Sequence, residues 1–289
     1  MTLASPLISA EAARALLSQS TPPVVLDCSF DLADAGAGER SYSEGHLPHA
    51  QYVHLDRDLS CPKTGQNGRH PLRDRAQYAE WMGRVGITPE RDVLVYDRQA
   101  GMYAVRAWWV LRWMGHTRVA VLDGGLAAWQ QAGGALTQQV DAVKAAAPYP
   151  ALPPALQTVT AQQLQQGLED LLTIDARAPE RYRGEVEPLD AVAGHIPGAL
   201  NRFFKDNLQA DGRFKPPSQL RAEFDVLLAG KPASAVVHQC GSGVTACHNV
   251  LAMEVAGLGS TALYPGSWSE WSSDPARPMV RGSASSPKA

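Results

Sequence analysis

Cys240 opens the run Cys240-Gly-Ser-Gly-Val-Thr-Ala-Cys247, and it is the side chain of this sequence best placed to act as a nucleophile. The residues before it, AVVHQ, have the near-continuous apolar character of a strand covered on both faces. Those after it, from Thr245, have a helical pattern. Gly241 and Gly243 permit positive φ, so a tight loop is expected between strand and helix, with the helix's first N–H groups turned back toward it. A thiol in such a ring of donors is favoured as thiolate. For any free thiol, full ionisation at neutral pH takes roughly 2.7 kcal/mol of preferential stabilisation. A helix N-terminus supplies about 0.3–1 kcal/mol, up to ~2, and N–H hydrogen bonds to a charged acceptor supply the rest. A buried cysteine after a strand is ordinarily an inert core residue. The glycine pair and the strand–loop–helix frame favour the reactive reading.

Cys28, Cys61 and Cys247 form no C-x-x-C pair and have no histidine at zinc-finger spacing, so neither a structural metal nor a disulfide framework is expected. Cys247 lies about two helical turns from Cys240 and reads as a small core residue. This cysteine usage fits a cytoplasmic protein with reduced thiols. The N-terminal MTLASPLISAEAARALL lacks a basic start before an apolar core and reads as a helix lead-in. No apolar run approaches the ~18 residues of a membrane span.

The elements that must position Cys240 recur. VVLD ending at Asp27, GHLPHA from Gly45, VLVYD ending at Asp97 and DGGLAAW ending at Trp129 are matched by LTID ending at Asp175, GHIPGA from Gly194, AVVHQC ending at Cys240 and PGSWSEW ending at Trp271. Four landmarks in the same order at nearly constant offset mean a duplicated domain of about 130 residues. A first domain is expected over residues 1–143, a proline-rich extended linker over 144–157 and a second domain over 158–289, its last residues, from Gly282, frayed. Asp97 occupies the position of Cys240 in the first copy, so that copy keeps the framework and lacks the thiol.

Short apolar runs alternate with helical patterns in both copies, which predicts α/β domains with mainly parallel sheets. Strands are expected at 24–27, 93–96 and 119–122 and again at 172–175, 235–239 and 260–263. Helices are expected near 77–84, 103–114 and 126–131, then 161–169, 218–228 and 245–256. Ligands in such sheets bind beyond the carboxyl ends of strands, which selects the residues after Tyr96 and Gln239. His46 and His195, repeated in both GH-x-P motifs, are read as structural, Trp271 as core like its counterpart Trp129, and Trp108 and Trp109 as a buried helix. Trp268 could wall the pocket or pack in the core.

Apolar residues make up 45% of the 289, charged residues 19%, and 26 Lys plus Arg face 29 Asp plus Glu, a formal net charge of −3. A folded chain with a sizeable core follows. Nothing in that balance draws a nucleic acid or an anionic membrane, so any anion site must be local.

CGSGVTACH, the paired GHLP and GHIPG motifs, RYRGEVEPLD and GSWSEW together resemble two-domain rhodanese-type sulfurtransferases over roughly residues 8–280, and the loop resembles that of 3-mercaptopyruvate sulfurtransferases. The resemblance implies two tandem rhodanese-like domains, each a mainly parallel sheet flanked by helices. It implies that Cys240 takes sulfur from a small anionic donor as a persulfide and passes it to a thiol such as thioredoxin or glutathione, or to cyanide, with no metal or organic cofactor. It carries Ser242 over as the hydroxyl of a proton network with His70 of NGRHPL and Asp56 of VHLDRD. Arg181 carries over as the residue holding the donor's anionic end, and Gly241, Gly243, Val244 and Thr245 as the substrate-facing loop. Arg183 reads as a surface ion-pairing residue. Mercaptopyruvate enzymes typically place a second arginine after the EP of this motif, whereas this chain has Glu187-Pro-Leu-Asp190, a form more like thiosulfate-type members; the loop's Gly241 and Ser242, by contrast, lack the basic residues that thiosulfate-preferring enzymes often carry there. Mercaptopyruvate is therefore placed ahead of thiosulfate as donor. A non-catalytic sulfur carrier or regulatory module is the further alternative, disfavoured by the complete loop. A cysteine-dependent phosphatase would need an arginine at position 246, which is alanine. A monomer is compatible with the internal duplication.

Overall fold

Short, mainly apolar runs form the four-residue strands of both copies, because a parallel strand covered by helices has no solvent face, and even their polar members, such as Asp27, Asp175 and His238, are buried. The computed structural model describes residue 3 and residues 5–283; the part of the tail beyond residue 283, expected to fray, lies outside the described residues. Two compact units result. One holds the chain up to Cys61 together with Arg73–Ala155 and Ala210–Phe214, and the other holds Pro62–Leu72, Leu156–Gln209 and the chain from Lys215 on.

The first unit contains β1 (Leu7–Ile8), α1 (Ala10–Leu17), β2 (Val24–Asp27), α2 (Ala37–Glu44), β3 (Ala50–Tyr52), α3 (Arg75–Arg84), β4 (Val93–Tyr96), α4 (Ala104–Trp113), β5 (Val119–Leu122) and α5 (Gly125–Gln131). Its sheet runs β1-β5-β4-β2-β3, every neighbour parallel. The second contains β6 (Gln157–Thr158), α6 (Ala161–Gln166), β7 (Leu172–Asp175), α7 (Pro179–Tyr182), β8 (Leu200–Asn201), α8 (Pro217–Leu228), β9 (Val236–Gln239), α9 (Ala246–Val255), β10 (Ala262–Leu263) and α10 (Ser267–Trp271). Its order, β6-β10-β9-β7-β8, is the same arrangement, again all parallel. The chain is thus an α/β protein with two five-stranded parallel sheets flanked by helices.

The expected strands and helices form with small shifts at their ends. The helix expected to run to 169 stops at Gln166, where Gly167 follows, and a capping box between Thr160 and Gln163 starts it. A second capping box, Asp74 with Gln77, begins α3 two residues before the expected start. The strand expected from 260 begins only at Ala262. The expected linker forms no helix or strand until its last residue, Gln157, which begins β6, and it hydrogen-bonds along the first unit: Ala146 N–H to the Gly83 carbonyl (2.8 Å) and Tyr149 N–H to the Ala79 carbonyl (2.9 Å).

The duplication extends to side chains. His46 donates through Nδ1–H to the Tyr42 carbonyl and stacks on the Tyr42 ring at 3.8 Å; His195 does the same with Tyr182, its ring 3.9 Å away. Both are buried, in keeping with a structural role. Trp129 and Trp271 are core residues whose indole N–H groups bond the carbonyls of Ala135 and Pro278. Trp108, Trp109 and Trp268 are fully buried as well. Among the described residues no helix is long and apolar enough to cross a membrane, and no His, Cys, Asp and Glu cluster could hold a metal ion.

Burial pushes His116 of the first unit down to about 4 and His238 of the second down to about 3, and neither ring nitrogen of His238 has a hydrogen-bond partner. Between about pH 6.5 and those values the unfolded chain binds protons that the folded chain does not, so stability is lost as pH falls below about 6.5. Urea unfolding of wild type and His238→Leu near pH 7.5 and pH 5 is expected to show the wild type losing about 2 kcal/mol more than the variant over that interval. Equal losses would contradict a neutral buried imidazole.

Candidate active site

Cys240 directly follows β9, and the loop to Thr245 turns the chain into α9. The sulfur accepts hydrogen bonds from the backbone N–H of Ser242 (3.5 Å) and Gly243 (3.2 Å) and is 2% exposed. Val244 and Thr245 begin the helical turn but do not donate to the sulfur; the Val244 and Thr245 carbonyls accept from Cys247 and His248. Cys247 is buried in α9 and its thiol donates to the Gly243 carbonyl (3.3 Å), bracing the loop from inside the core.

Only one of the two loop glycines uses positive φ. Gly243 lies at φ +75, and a Cβ there would fall 2.2 Å from the Pro265 carbonyl oxygen. Gly241, expected to share that conformation, does not adopt it. Its missing side chain instead makes room for guanidinium groups: an added Cβ would sit 2.6 Å from Arg69 Nη2 and 3.5 Å from Arg181 Nη1.

The start of α10 pins the loop. Trp268 N–H donates to the Cys240 carbonyl and Ser269 N–H to the Gly241 carbonyl, each at 3.0 Å, and the Ser267 hydroxyl accepts from Cys240 N–H (3.1 Å). Ser267 has φ +55, a conformation that costs a non-glycine residue about 1–3 kcal/mol. In the first unit the matching residue is Gly125, φ +59, and Leu126 N–H bonds the Asp97 carbonyl just as Trp268 bonds that of Cys240. Serine replaces glycine where a hydroxyl can hold the cysteine's backbone. Sequence reading did not single out Ser267; its offset from the glycine of the other copy is the signal that could have.

Asp97 shows what this loop does with an anion. Its carboxylate accepts from the N–H groups of Gln99 (2.9 Å), Gly101, Tyr103 and Ala104 (2.8 Å each). Burial pushes the Asp97 carboxyl up, and the four N–H donors oppose that. The curled strand-to-helix loop is an N–H cradle in both copies.

Beside Cys240 stand three arginines and three carboxylates. Arg177 bonds Asp175 through Nε and Nη2, reaches Glu187 (3.4 Å) and the Gly194 carbonyl (2.7 Å), and lies over the Trp268 ring at 4.8 Å. Burial alone would lower its guanidinium, but Asp175, Glu187 and Cys240 outweigh that and raise it. Trp268 therefore packs under the arginine cluster rather than walling an open pocket. Arg181 bonds Glu187 (2.6 Å) and approaches Asp190 (3.6 Å). Arg69 pairs with Asp190, and its backbone N–H bonds the Ser269 hydroxyl (3.0 Å). Arg183 pairs at the surface with Glu185, as its place in the motif leads one to expect.

His70 Nδ1 lies 2.7 Å from Ser242 Oγ, and both residues are buried within the second unit because Pro62–Leu72 packs there. Asp56 belongs to the first unit, where its backbone N–H bonds His54 Nδ1 (3.1 Å); its share in a proton network rests on resemblance. Arg69 and Arg177 went unnoticed as site residues. Adjacency to His70, and a position two residues past a strand-end aspartate, were the available signals.

A family model described as "Rhodanese-like domain" matches residues 9–132 and again 160–274. The chain belongs to the rhodanese family. The chain is 47% identical over 280 residues to a probable 3-mercaptopyruvate sulfurtransferase of Pseudomonas aeruginosa, covering 96% of this chain and 98% of the relative. It is 42% identical over 292 residues to a putative thiosulfate sulfurtransferase of Mycobacterium tuberculosis, with 96% and 98% covered. In structure it is similar to the 3-mercaptopyruvate sulfurtransferase from Leishmania major, with a TM-score of 0.82 at 28% identity, over 93% of this chain and 74% of that one. Each match of the family model spans all but the first strand of one of the two sheets.

Gly243→Ala forces a Cβ against the Pro265 carbonyl and strains φ, which moves the Gly243 N–H off the sulfur. Alkylation of Cys240 by iodoacetamide at neutral pH is expected to slow about tenfold, with far-UV circular dichroism unchanged. An unchanged rate would show that this N–H does not support the thiolate.

Proposed function

We propose that the chain is a sulfurtransferase that takes sulfur from 3-mercaptopyruvate through a Cys240 persulfide and delivers it to a thiol, such as thioredoxin or glutathione, or to cyanide. The observation that carries the reading is the Cys240 sulfur seated on the Ser242 and Gly243 N–H groups, with the His70–Ser242 hydrogen bond beside it. The names of the relatives from Pseudomonas aeruginosa and Leishmania major support the donor. We place the protein in the cytoplasm on its four reduced cysteines.

In this mechanism the Cys240 thiolate attacks the donor's sulfur. The donor C–S bond breaks, its electron pair stays on carbon as an enolate, and a proton equivalent to the one lost from the donor thiol converts it to pyruvate. Ser242 and His70 form the route for that proton. Cys240 is left carrying one added sulfur as a persulfide anion, which the loop N–H groups hold. An acceptor thiolate then attacks the outer sulfur, the S–S bond breaks, and the Cys240 thiolate returns. Arg181 orients the donor by its carboxylate.

Thiosulfate is the second reading of the donor, favoured by Leu189-Asp190 after the EP, where mercaptopyruvate enzymes typically place an arginine, and by the name of the Mycobacterium tuberculosis relative. The loop touches the transferred sulfur and has no side-chain cation of its own, so it favours mercaptopyruvate.

Incubation with 3-mercaptopyruvate is expected to add one sulfur, about 32 Da, to the Cys240 peptide and nothing to Cys240→Ser, as read by mass spectrometry. An unmodified wild type, or label persisting in the serine variant, would refute the persulfide. Arg181→Ala is expected to lower kcat/KM for 3-mercaptopyruvate about 10- to 100-fold. A wild type whose kcat/KM for thiosulfate exceeds that for 3-mercaptopyruvate would reverse the order of donors.

A further inference from the structure

We propose that Arg69 is a second anion-binding residue of the Cys240 site, closing with Arg181 on the carboxylate of the sulfur donor; this rests on the sulfurtransferase reading and extends it to the residue preceding His70. Arg177, Arg181 and Arg69 all stand near the loop, yet they are differently committed. Arg177 is 1% exposed, and Asp175, Glu187 and the Gly194 carbonyl occupy its nitrogens, so it is a fixed part of the wall. Arg181 and Arg69 keep 19% and 21% of their side chains exposed. Arg181 bonds Glu187 through Nη2, and Arg69 bonds Asp190 through Nη1. Arg69 Nη2 and the Arg181 guanidinium, with Nη1 at 3.5 Å and Nη2 at 3.6 Å, converge on one point, the space left by the missing side chain of Gly241, immediately beside Cys240.

Three guanidiniums there face the three carboxylates of Asp175, Glu187 and Asp190, so the cluster has no excess charge with which to attract an anion at a distance. Recognition must come from directed N–H groups. Two forks held in place by carboxylates and aimed at one point suit a planar carboxylate, whose two oxygens each take a donor. Asp190 holds Arg69 ready, lowering the entropy lost on binding. The Ser269 hydroxyl accepts the Arg69 backbone N–H, and α10, which carries Ser269, also pins the Cys240 and Gly241 carbonyls. Clamp and nucleophile therefore hang from one element.

Steady-state kinetics with 3-mercaptopyruvate on the full chain test this, with wild type, Arg69→Ala, Arg69→Lys and the double variant Arg69→Ala/Asp190→Ala. Arg69→Ala is expected to raise KM about tenfold with kcat within about twofold, since the charge pair forms before the chemistry. The double variant, which no longer leaves Asp190 without its arginine, is expected to keep the raised KM. Arg69→Lys keeps the charge and loses the fork; its KM is expected to rise at least about threefold, and it decides the matter if the alanine variants do not fold. A wild-type KM in Arg69→Ala, or in the double variant, overturns the clamp, the latter by reducing Arg69 to a counter-charge for Asp190. A wild type that takes up no sulfur at Cys240 overturns the sulfurtransferase reading itself.

Discussion

A sharp turn from strand to helix leaves several backbone N–H groups pointing inward with no carbonyl to receive them, and something negative must fill the space. This constraint organises both halves of the molecule. In the first half Asp97 fills it with its own carboxylate and takes four N–H bonds. In the second half Cys240 stands in the same place and its sulfur takes two, from Ser242 and Gly243. The carboxylate copy is saturated and chemically finished. The thiol copy leaves the N–H groups of Val244 and Thr245 without a bond to the sulfur, which is where a second sulfur atom can be held.

The rest of the second unit serves that loop. Parallel strands β7 and β9 bring Asp175 and Gln239 into register, so the residues following both strands share one edge of the sheet. Arg177 enters from the first of these and Cys240 from the second. The turn into α10 clamps the loop by its carbonyls, at the cost of holding Ser267 at positive φ. Local strain of this kind persists where packing over-determines it, and Trp268 and Trp271, both fully buried, supply that packing.

Much of this was legible in the sequence because it depends on local pattern. Four-residue, mainly apolar strands ending in Asp27, Tyr96, Asp175 and Gln239 announce themselves when both faces are covered. The repeat marked Trp271, His46 and His195 as framework, and the loop marked Cys240. Edge strands of two or three residues, such as β1, β6 and β8, carry too little pattern to stand out. Arg69 was illegible for a deeper reason. Its position depends on Pro62–Leu72 packing with the second unit although it lies within the first half of the sequence, and nothing in NGRHPL states which unit receives it. Gly241 was read for its backbone freedom, whereas what it contributes is empty space beside two guanidiniums.

The central claim is that the loop's backbone, rather than any side-chain cation within it, holds the sulfur anion. A crystal structure of the protein after incubation with 3-mercaptopyruvate tests it most directly. The account predicts one additional sulfur on Cys240, lying inside the loop at hydrogen-bond distance from the backbone N–H groups between Gly241 and Thr245. A persulfide whose outer sulfur turns away from the loop, toward solvent or toward the arginines alone, would contradict it.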